Sequence, residues 1–436
     1  MANLNRTLNL LMNGILVGTL TKHNTGMLSF RYTPSWLKTP GARPLSLSLP
    51  LIDQEYHGDV VHNFFDNLLP DNPEIRSRIQ AKFHISTNQA FDLLAHIGQD
   101  CVGAIQMAEG TPLFHKQIDA EHVTKKTIAR VLKNFKTAPL GMVSSEQDFR
   151  ISIAGAQEKS AFLYYQKAWY RPSGATPTTH IFKLPIGFIE HQHIDLRDSC
   201  ENEWLCTEIA KAFGLPVAQA SIQQFDDVKT LVVERFDRQW SGDKKWLLRL
   251  PQEDLCQALG YSSHLKYESD GGPGILEIMQ LLLGSQQATS DRELFFRTQI
   301  IFFLLAAIDG HAKNFSIFIK PLGAYCLTPL YDIMSAYPLL ATRQLEKQKI
   351  KMAMALIGKN KHYHWHTIRR RHFISTALAA QFSTEKVETM LEELLSKVEP
   401  VIATVSAKLP RHFPQPIADA IFNGLRQAKE LLVLSL

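Results

Sequence analysis

The sequence predicts an α+β fold in which a small mixed N-terminal domain precedes a sheet carrying one helix and then a mainly helical region. Three observations predict it: strand-like patterning near the N-terminus, short extended runs around one helix between residues 150 and 236, and helical spacing beyond Arg249. The 436 residues correspond to about two or three domains at roughly 150 residues each. With 45% hydrophobic and 20% charged residues the chain is globular and not disordered. Its 47 Lys plus Arg against 42 Asp plus Glu leave +5, which permits an anionic ligand but excludes a polybasic nucleic-acid coat.

Taken in order, Leu8–Met12 and Ile15–Leu20 flank Asn13-Gly14, a dipeptide that favours the positive φ angles of a type I′ turn, so they read as a hairpin and not as a signal peptide. Leu45–Leu51 alternates Leu and Ser with period two and reads as a half-buried strand. Phe64–Pro70 and Phe91–Gly98 read as short helices stopped by proline and glycine. These elements make up a first domain over residues 1–110. A connecting segment follows over 111–145, whose Lys-rich part from His122 to Lys136 reads as a solvated helix.

Residues 146–248 form the first lobe. Arg150–Ala154, Ser160–Tyr165, Ala168–Arg171, His180–Leu184 and Thr230–Phe236 are extended runs. Among them sits a helix with Leu205, Ile209 and Phe213 at four-residue spacing, Asp198 or Ser199 as its N-cap, and Gly214 and Pro216 closing it. Residues 249–436 form the helical lobe, with Ile275–Leu283, Leu294–Ile308, an apolar face of Val387, Met390, Leu391, Leu394, Leu395 and Val398, and a last helix carrying Ile417, Ile421 and Leu425. The five cysteines are scattered without C-x-x-C spacing, which fits a reducing cytoplasm. The longest apolar run, Ile300–Ile308, falls far short of the roughly 20 residues of a membrane span.

The most informative stretch is Asp309-Gly310-His311-Ala312-Lys313-Asn314, followed eighteen residues after Asn314 by Asp332. Protein kinases place a base Asp five residues before a metal-binding Asn and supply a second metal-binding Asp downstream. That chemistry needs one carboxylate to orient a hydroxyl, and an amide oxygen with another carboxylate to hold Mg²⁺ against a triphosphate. A loop of turn and capping residues is the plainer alternative. Lys183 lies in the otherwise apolar run Thr179–Pro185, where it could hold phosphates with Glu201 or Glu203 as its ion-pair partner, or point to water from an edge strand. The backbone of Glu234, Arg235 and Phe236 could contact adenine.

Ser152 to Ser160, with Ile153, Ala154, Gly155, Ala156, Gln157 and Glu158, is a turn of small residues able to approach phosphate, yet its single glycine matches no standard phosphate loop, and taken alone it reads as an ordinary hairpin. Asp270–Gly274 reads as a loop between helices. Lys359–His372 holds four histidines and five basic residues in fourteen, which admits a solvated helix face, contact with a DNA backbone, or metal binding.

Phe149-Arg150-Ile151-Ser152-Ile153-Ala154-Gly155-Ala156-Gln157-Glu158-Lys159, Val233–Arg238, Pro251-Gln252-Glu253-Asp254 and Asp309–Asn314 together resemble the HipA family of toxin kinases, as do the N-terminal segments Leu45–Leu51, Phe64–Asp71 and Ile97–Ala104. The resemblance spans nearly the whole chain. It implies a protein-kinase-like two-lobed domain behind an accessory N-terminal domain, acting as an ATP- and Mg²⁺-dependent serine/threonine kinase of a bacterial type II toxin–antitoxin pair. On that resemblance Asp309 is the catalytic base, and Asn314 and Asp332 are the Mg²⁺ ligands. Lys183 binds phosphate, Ile153 to Glu158 form the nucleotide loop, and Glu234 to Phe236, His311 and Asn314 complete the nucleotide site. Ser152 corresponds to the autophosphorylated serine. The implied partners are a HipB-like helix-turn-helix antitoxin, operator DNA through that complex, and glutamyl-tRNA synthetase as protein substrate.

Departures from ordinary kinases are plain: Asp332-Ile333-Met334 lacks the glycine of D-F-G, His311 follows the base, and no A-P-E motif follows. Two rival readings are a non-catalytic corepressor that braces the antitoxin on DNA, and a small-molecule kinase on the same scaffold.

Overall fold

A computed structural model describes residues 5–110, 116–134, 152–153, 155, 157–190 and 193–434. The chain divides into two compact units. One comprises Met1–Leu184, Gln223–His264 and Ile317–Tyr325, the other Pro185–Ile222, Leu265–Ser316 and Cys326–Leu436.

The first unit begins with an antiparallel sheet of β1 (Arg6–Met12), β2 (Ile15–Lys22), β3 (Leu28–Tyr32), β4 (Glu55–His57) and β5 (Ile105–Ala108), in the order β4-β3-β2-β1-β5. The expected hairpin is present: Met12 pairs with Ile15 across Asn13 (φ 49°) and Gly14 (φ 82°), the left-handed pair that a type I′ turn requires. Asn13 does more than turn the chain. Its side-chain amide donates to the Arg249 carbonyl and accepts from the Arg249 N–H, both at 2.9 Å. The apolar face of the sheet packs Leu8, Leu10, Val17, Leu20 and Phe30 against the helices Asp59–Asp66 and Ala90–Ile97, and Gly98 ends the latter.

Three expectations need correction here. Leu45–Leu51 is not a strand but a run of turns with one bridge, Ser46 to Leu49. Its serines look inward: the Ser46 and Ser48 hydroxyls donate to the Gln257 carbonyl, and the Leu47 N–H donates to the buried Glu253 carboxyl at 2.9 Å. Those side-chain bonds offer the backbone an alternative to a ladder. The helix expected over Phe64–Pro70 starts at Asp59 and ends at Asp66, because the Asn67 amide caps the Asn63 carbonyl at 2.8 Å and reaches the Tyr261 carbonyl at 2.9 Å. The Lys-rich helix, Lys125–Lys133, is not solvated all round. Its Ile128, Ala129, Val131 and Leu132 are buried against Phe162, Phe182, Phe225 and Val232.

Those aromatic residues belong to the unit's second sheet. It contains β6 (Ala120–His122), β7 (Lys159–Tyr165), β8 (Ala168–Pro172), β9 (His180–Lys183) and the strands Ala220–Phe225 and Val228–Glu234. β9 lies between β7 and Val228–Glu234, so it is a central strand.

The second unit is mainly helical, with Ser199–Ala212, Ile275–Leu281, Ala288–Leu305, Arg370–Ala379, Thr384–Ser406 and Gln415–Val433. The predicted apolar face of the Thr384–Ser406 helix is buried throughout. Lys359–His372 departs from the solvated-helix alternative: Lys361–His364 pairs with Lys351–Ile357, and Trp365 is buried with its indole N–H donating to the Phe303 carbonyl at 2.8 Å. His372 is buried too, its ring stacked on His362, and burial pushes its pKa down to about 4.

Candidate active site

In the second unit the Ala288–Leu305 helix is so apolar that most of its surface is buried, and it delivers the chain to Asp309 through a sharp stop. Ala306 adopts φ 45° as the C-cap, and the Ala307 N–H folds back onto the Phe302 carbonyl at 2.8 Å. Gly310 is required at its position, since a Cβ there would lie 2.4 Å from the Phe302 ring. The loop then closes on one acceptor. The Asp309 carbonyl receives the His311 N–H at 2.8 Å and the Asn314 side-chain amide at 2.7 Å. That bond fixes the amide of buried Asn314 so that Oδ1 is its remaining oxygen.

The Asp309 carboxylate, whose side chain is 49% exposed, accepts a hydrogen bond from the Tyr267 hydroxyl and stands 3.9 Å from His311 Nε2. His311 itself is buried, its ring edge-on to Tyr267 with centroids 5.0 Å apart.

The Asp332 segment is held by groups that no local pattern announces. Tyr331 donates to the Lys313 carbonyl at 2.9 Å. Ser335 and Asn202 bond reciprocally, at 2.8 and 2.9 Å, which ties the segment to the Ser199–Ala212 helix, and Ser335 Oγ donates to Leu305 at 2.6 Å. Asp332 sits at φ 60°, a region that Asp and Asn tolerate better than other side chains and one where strain concentrates at functional sites. Glu201 and Glu203, the candidate lysine partners, lie on the same helix as Asn202 and are both buried.

In the first unit Lys183 is 7% exposed on a central strand, which removes the alternative of an edge lysine facing water. Directly across from it on β7 is Lys159, 6% exposed. Like charges paired across strands repel, so two buried lysines here favour negative charge nearby. The loop before Lys159 lies against the Asp59–Asp66 helix and its continuation. Ser152 is fully buried with Oγ donating to the Leu68 carbonyl at 2.7 Å, Ile153 enters the N-terminal core, and Gly155 bridges to Pro70 with its carbonyl accepting from Asp71 at 3.0 Å. Gly155 has φ 109°, and a Cβ there would lie 2.6 Å from Lys159 Nζ. Gln157 donates to the Leu184 carbonyl and Glu158 pairs with Arg78. Phe149, Arg150, Ile151, Ala154 and Ala156 lie outside the described residues.

Glu234 is exposed at the end of its strand. The Arg235 N–H is engaged by the Thr179 carbonyl at 2.8 Å, and Phe236 packs edge-on to Phe318. The Arg235 guanidinium turns inward to Asp237, Thr178 and the Cys101 carbonyl. It joins a buried charge cluster with Asp100, Asp237, Arg238 and Arg249.

Two family models match the chain: the HipA N-terminal domain over residues 8–108 and the HipA-like C-terminal domain over residues 151–402. A relative from Sinorhizobium fredii, Y4mE, named for an inferred kinase activity, is 30% identical over 90% of this chain and 92% of its own. The serine/threonine-protein kinase toxin HipA of Shewanella oneidensis is 29% identical over 76% of this chain and 75% of its own. Among solved structures, HipA of Shewanella oneidensis, in its complex with HipB and operator DNA, superposes with a TM-score of 0.81, covering 98% of this chain and 97% of that one at 23% identity. The fold is therefore the two-domain HipA architecture. With one family model covering more than half of the chain and a relative aligned over nearly all of it, the chain belongs to the HipA family.

Proposed function

We propose that this chain is an ATP- and Mg²⁺-dependent serine/threonine protein kinase and the toxin of a type II toxin–antitoxin pair. The observation that carries the reading is the closed loop at Asp309, where one carbonyl holds both His311 and Asn314 while the carboxylate is left about half exposed and oriented by Tyr267. Asp309 would take the proton of the substrate hydroxyl, with the Tyr267 hydrogen bond fixing the carboxylate for in-line attack. Asn314 Oδ1 and the Asp332 carboxylate make an all-oxygen donor pair suited to Mg²⁺. When bound, that ion would supply charge neutralisation at the phosphates. Lys183, aided by Lys159 across the strand pair, would bind the α- and β-phosphates, with Glu201 or Glu203 as ion-pair partner. Ile153 to Glu158, including Ala154, Gly155, Ala156 and Gln157, would cover the nucleotide. Backbone groups of Glu234 to Phe236, together with His311, would complete its site.

Ser152 is proposed as a self-phosphorylation site. Its hydroxyl is buried and committed to the Leu68 carbonyl, so modification requires the segment to leave, and a group carrying about −2 charge could not return to a buried position facing a carbonyl oxygen. The proposed partners are a HipB-like antitoxin and, through it, operator DNA, with glutamyl-tRNA synthetase as the protein substrate. Incubation with Mg²⁺ and γ-labelled ATP, followed by mass mapping, tests the reading. Label at Ser152 is expected, and Asp309→Asn should lower transfer on the order of 100- to 10,000-fold. Undiminished transfer in that variant would remove Asp309 from its role, and absence of label on unphosphorylated, ATP-binding protein would favour the corepressor or small-molecule kinase.

A further inference from the structure

We propose that the exposed face of the N-terminal sheet carries a transition-metal site built from His23, Glu55 and His57, separate from any Mg²⁺ bound by Asn314 and Asp332. Glu55 and His57 are the first and last residues of β4, so strand alternation puts both on one face while Tyr56 between them turns into the core. β4 is the edge strand, and its register on β3 sets Ser29 opposite His57 and Arg31 opposite Glu55. His23 comes from the turn after β2, and Ser29 holds its ring through Nε2 at 2.8 Å, so this imidazole is oriented in advance.

The three side chains converge: one ligand atom from each lies within 4.8 Å of the other two, and Glu55 Oε2 is 3.7 Å from His57 Nε2. A tetrahedral ion bound at about 2.0–2.1 Å needs ligand atoms roughly 3.4 Å apart, a closure that rotamer adjustment of two exposed side chains can supply. Arg31, the cation facing Glu55 across the strands, pairs with Asp53 at 3.1 Å. Two imidazole nitrogens and one carboxylate suit Zn²⁺, Co²⁺ or Ni²⁺, whereas Mg²⁺ and Ca²⁺ demand oxygen. With three protein ligands the fourth position is open to water. An ion here would clip the β2–β3 turn to the edge strand.

The test titrates Co²⁺ into the full, tag-free chain in excess Mg²⁺, follows visible d–d absorption, and then adds Zn²⁺. One Co²⁺ per chain, displaced by Zn²⁺, is expected. His57→Ala and His23→Gln should each weaken binding about tenfold or more, and the metal-free thermal unfolding of His57→Ala should match the parent, as suits a change at an exposed strand position. Replacing His362, His364 and His366 together by Gln should leave the site intact. Absence of a stoichiometric Co²⁺ signal, binding unaltered by His57→Ala, or a signal lost only in the triple variant would each overturn the proposal.

Discussion

Asp100 shows how a single carboxylate can hold a unit together. It is buried and bonded to the Thr178 N–H and hydroxyl, and it faces the guanidinium groups of Arg235, Arg238 and Arg249. Burial opposes its ionisation, but the three arginines outweigh burial and hold its carboxyl far below the usual carboxylate range. Removing it would leave Arg235 and Arg238 sharing Asp237 and would take from Arg249 the carboxylate it faces. Asp100→Ala is expected to cost about 3–5 kcal/mol in urea denaturation. A loss no larger than the roughly 0.5 kcal/mol of a surface substitution would show that water reaches the cluster. Glu253 is the opposite case. Burial pushes its pKa up to about 8, and its Oε2 has no hydrogen-bond partner. A carboxyl with a raised folded-state pKa binds more protons folded than unfolded, so its contribution is full below the ordinary 4.5 and is lost as pH rises toward about 8. Glu253→Gln keeps an oxygen for the Leu47 N–H and abolishes the titration. Its stability relative to the parent should therefore rise through that window by an amount on the order of 4 kcal/mol. Denaturation at about pH 5 and about pH 9 measures the difference, and a constant offset would mean that Glu253 ionises normally.

At the scale of elements, the Lys125–Lys133 helix decides between a connection and a structural layer. Leu132 is fully buried among the aromatic residues of the second sheet, so Leu132→Ala is expected to cost about 2–5 kcal/mol. An exposed linker helix would lose only a few tenths, which the same denaturation experiment distinguishes. The case also shows what patterning conveys. Helices with an uninterrupted apolar face at three- and four-residue spacing, such as Thr384–Ser406, and the Asn13-Gly14 hairpin were legible because one local rule specifies them. In Lys125–Lys133 four apolar positions are hidden among lysines that project from the other face. Leu45–Leu51 misled because alternation says which side chains differ and not where serine hydroxyls find acceptors, here a carbonyl at Gln257 more than 200 residues away. The candidate site divides the same way. Asp309, Asn314 and Asp332 are recognisable from spacing alone, whereas Tyr267 approaches Asp309 across 42 residues of sequence and Asn202 approaches Ser335 across 133. Lys159 was visible as a residue, but only strand register reveals that it faces Lys183.

For the whole molecule, the proposed assignment separates binding from chemistry, and linkage makes that separation measurable. A ligand that binds only the folded chain stabilises it by about 2.7 kcal/mol at a hundredfold excess over its dissociation constant. If Asp332 and Asn314 hold the ion that accompanies ATP while Asp309 only accepts a proton, the variants should part company. Asp309→Asn should keep the rise in melting temperature that Mg²⁺ and ATP produce, because its carboxylate, about half exposed and bonded to Tyr267, is assigned to the hydroxyl substrate and not to phosphate. Asp332→Asn should lose most of that rise, measured against its own melting without ligand, because the charge is removed while Asn tolerates the φ of 60° at this position. Lys183→Met, which keeps much of the buried volume on the central strand, should also lose it. Equal stabilisation of all three variants would place the nucleotide elsewhere on the chain. Loss in Asp309→Asn alone would make Asp309 a phosphate or metal contact and not the base.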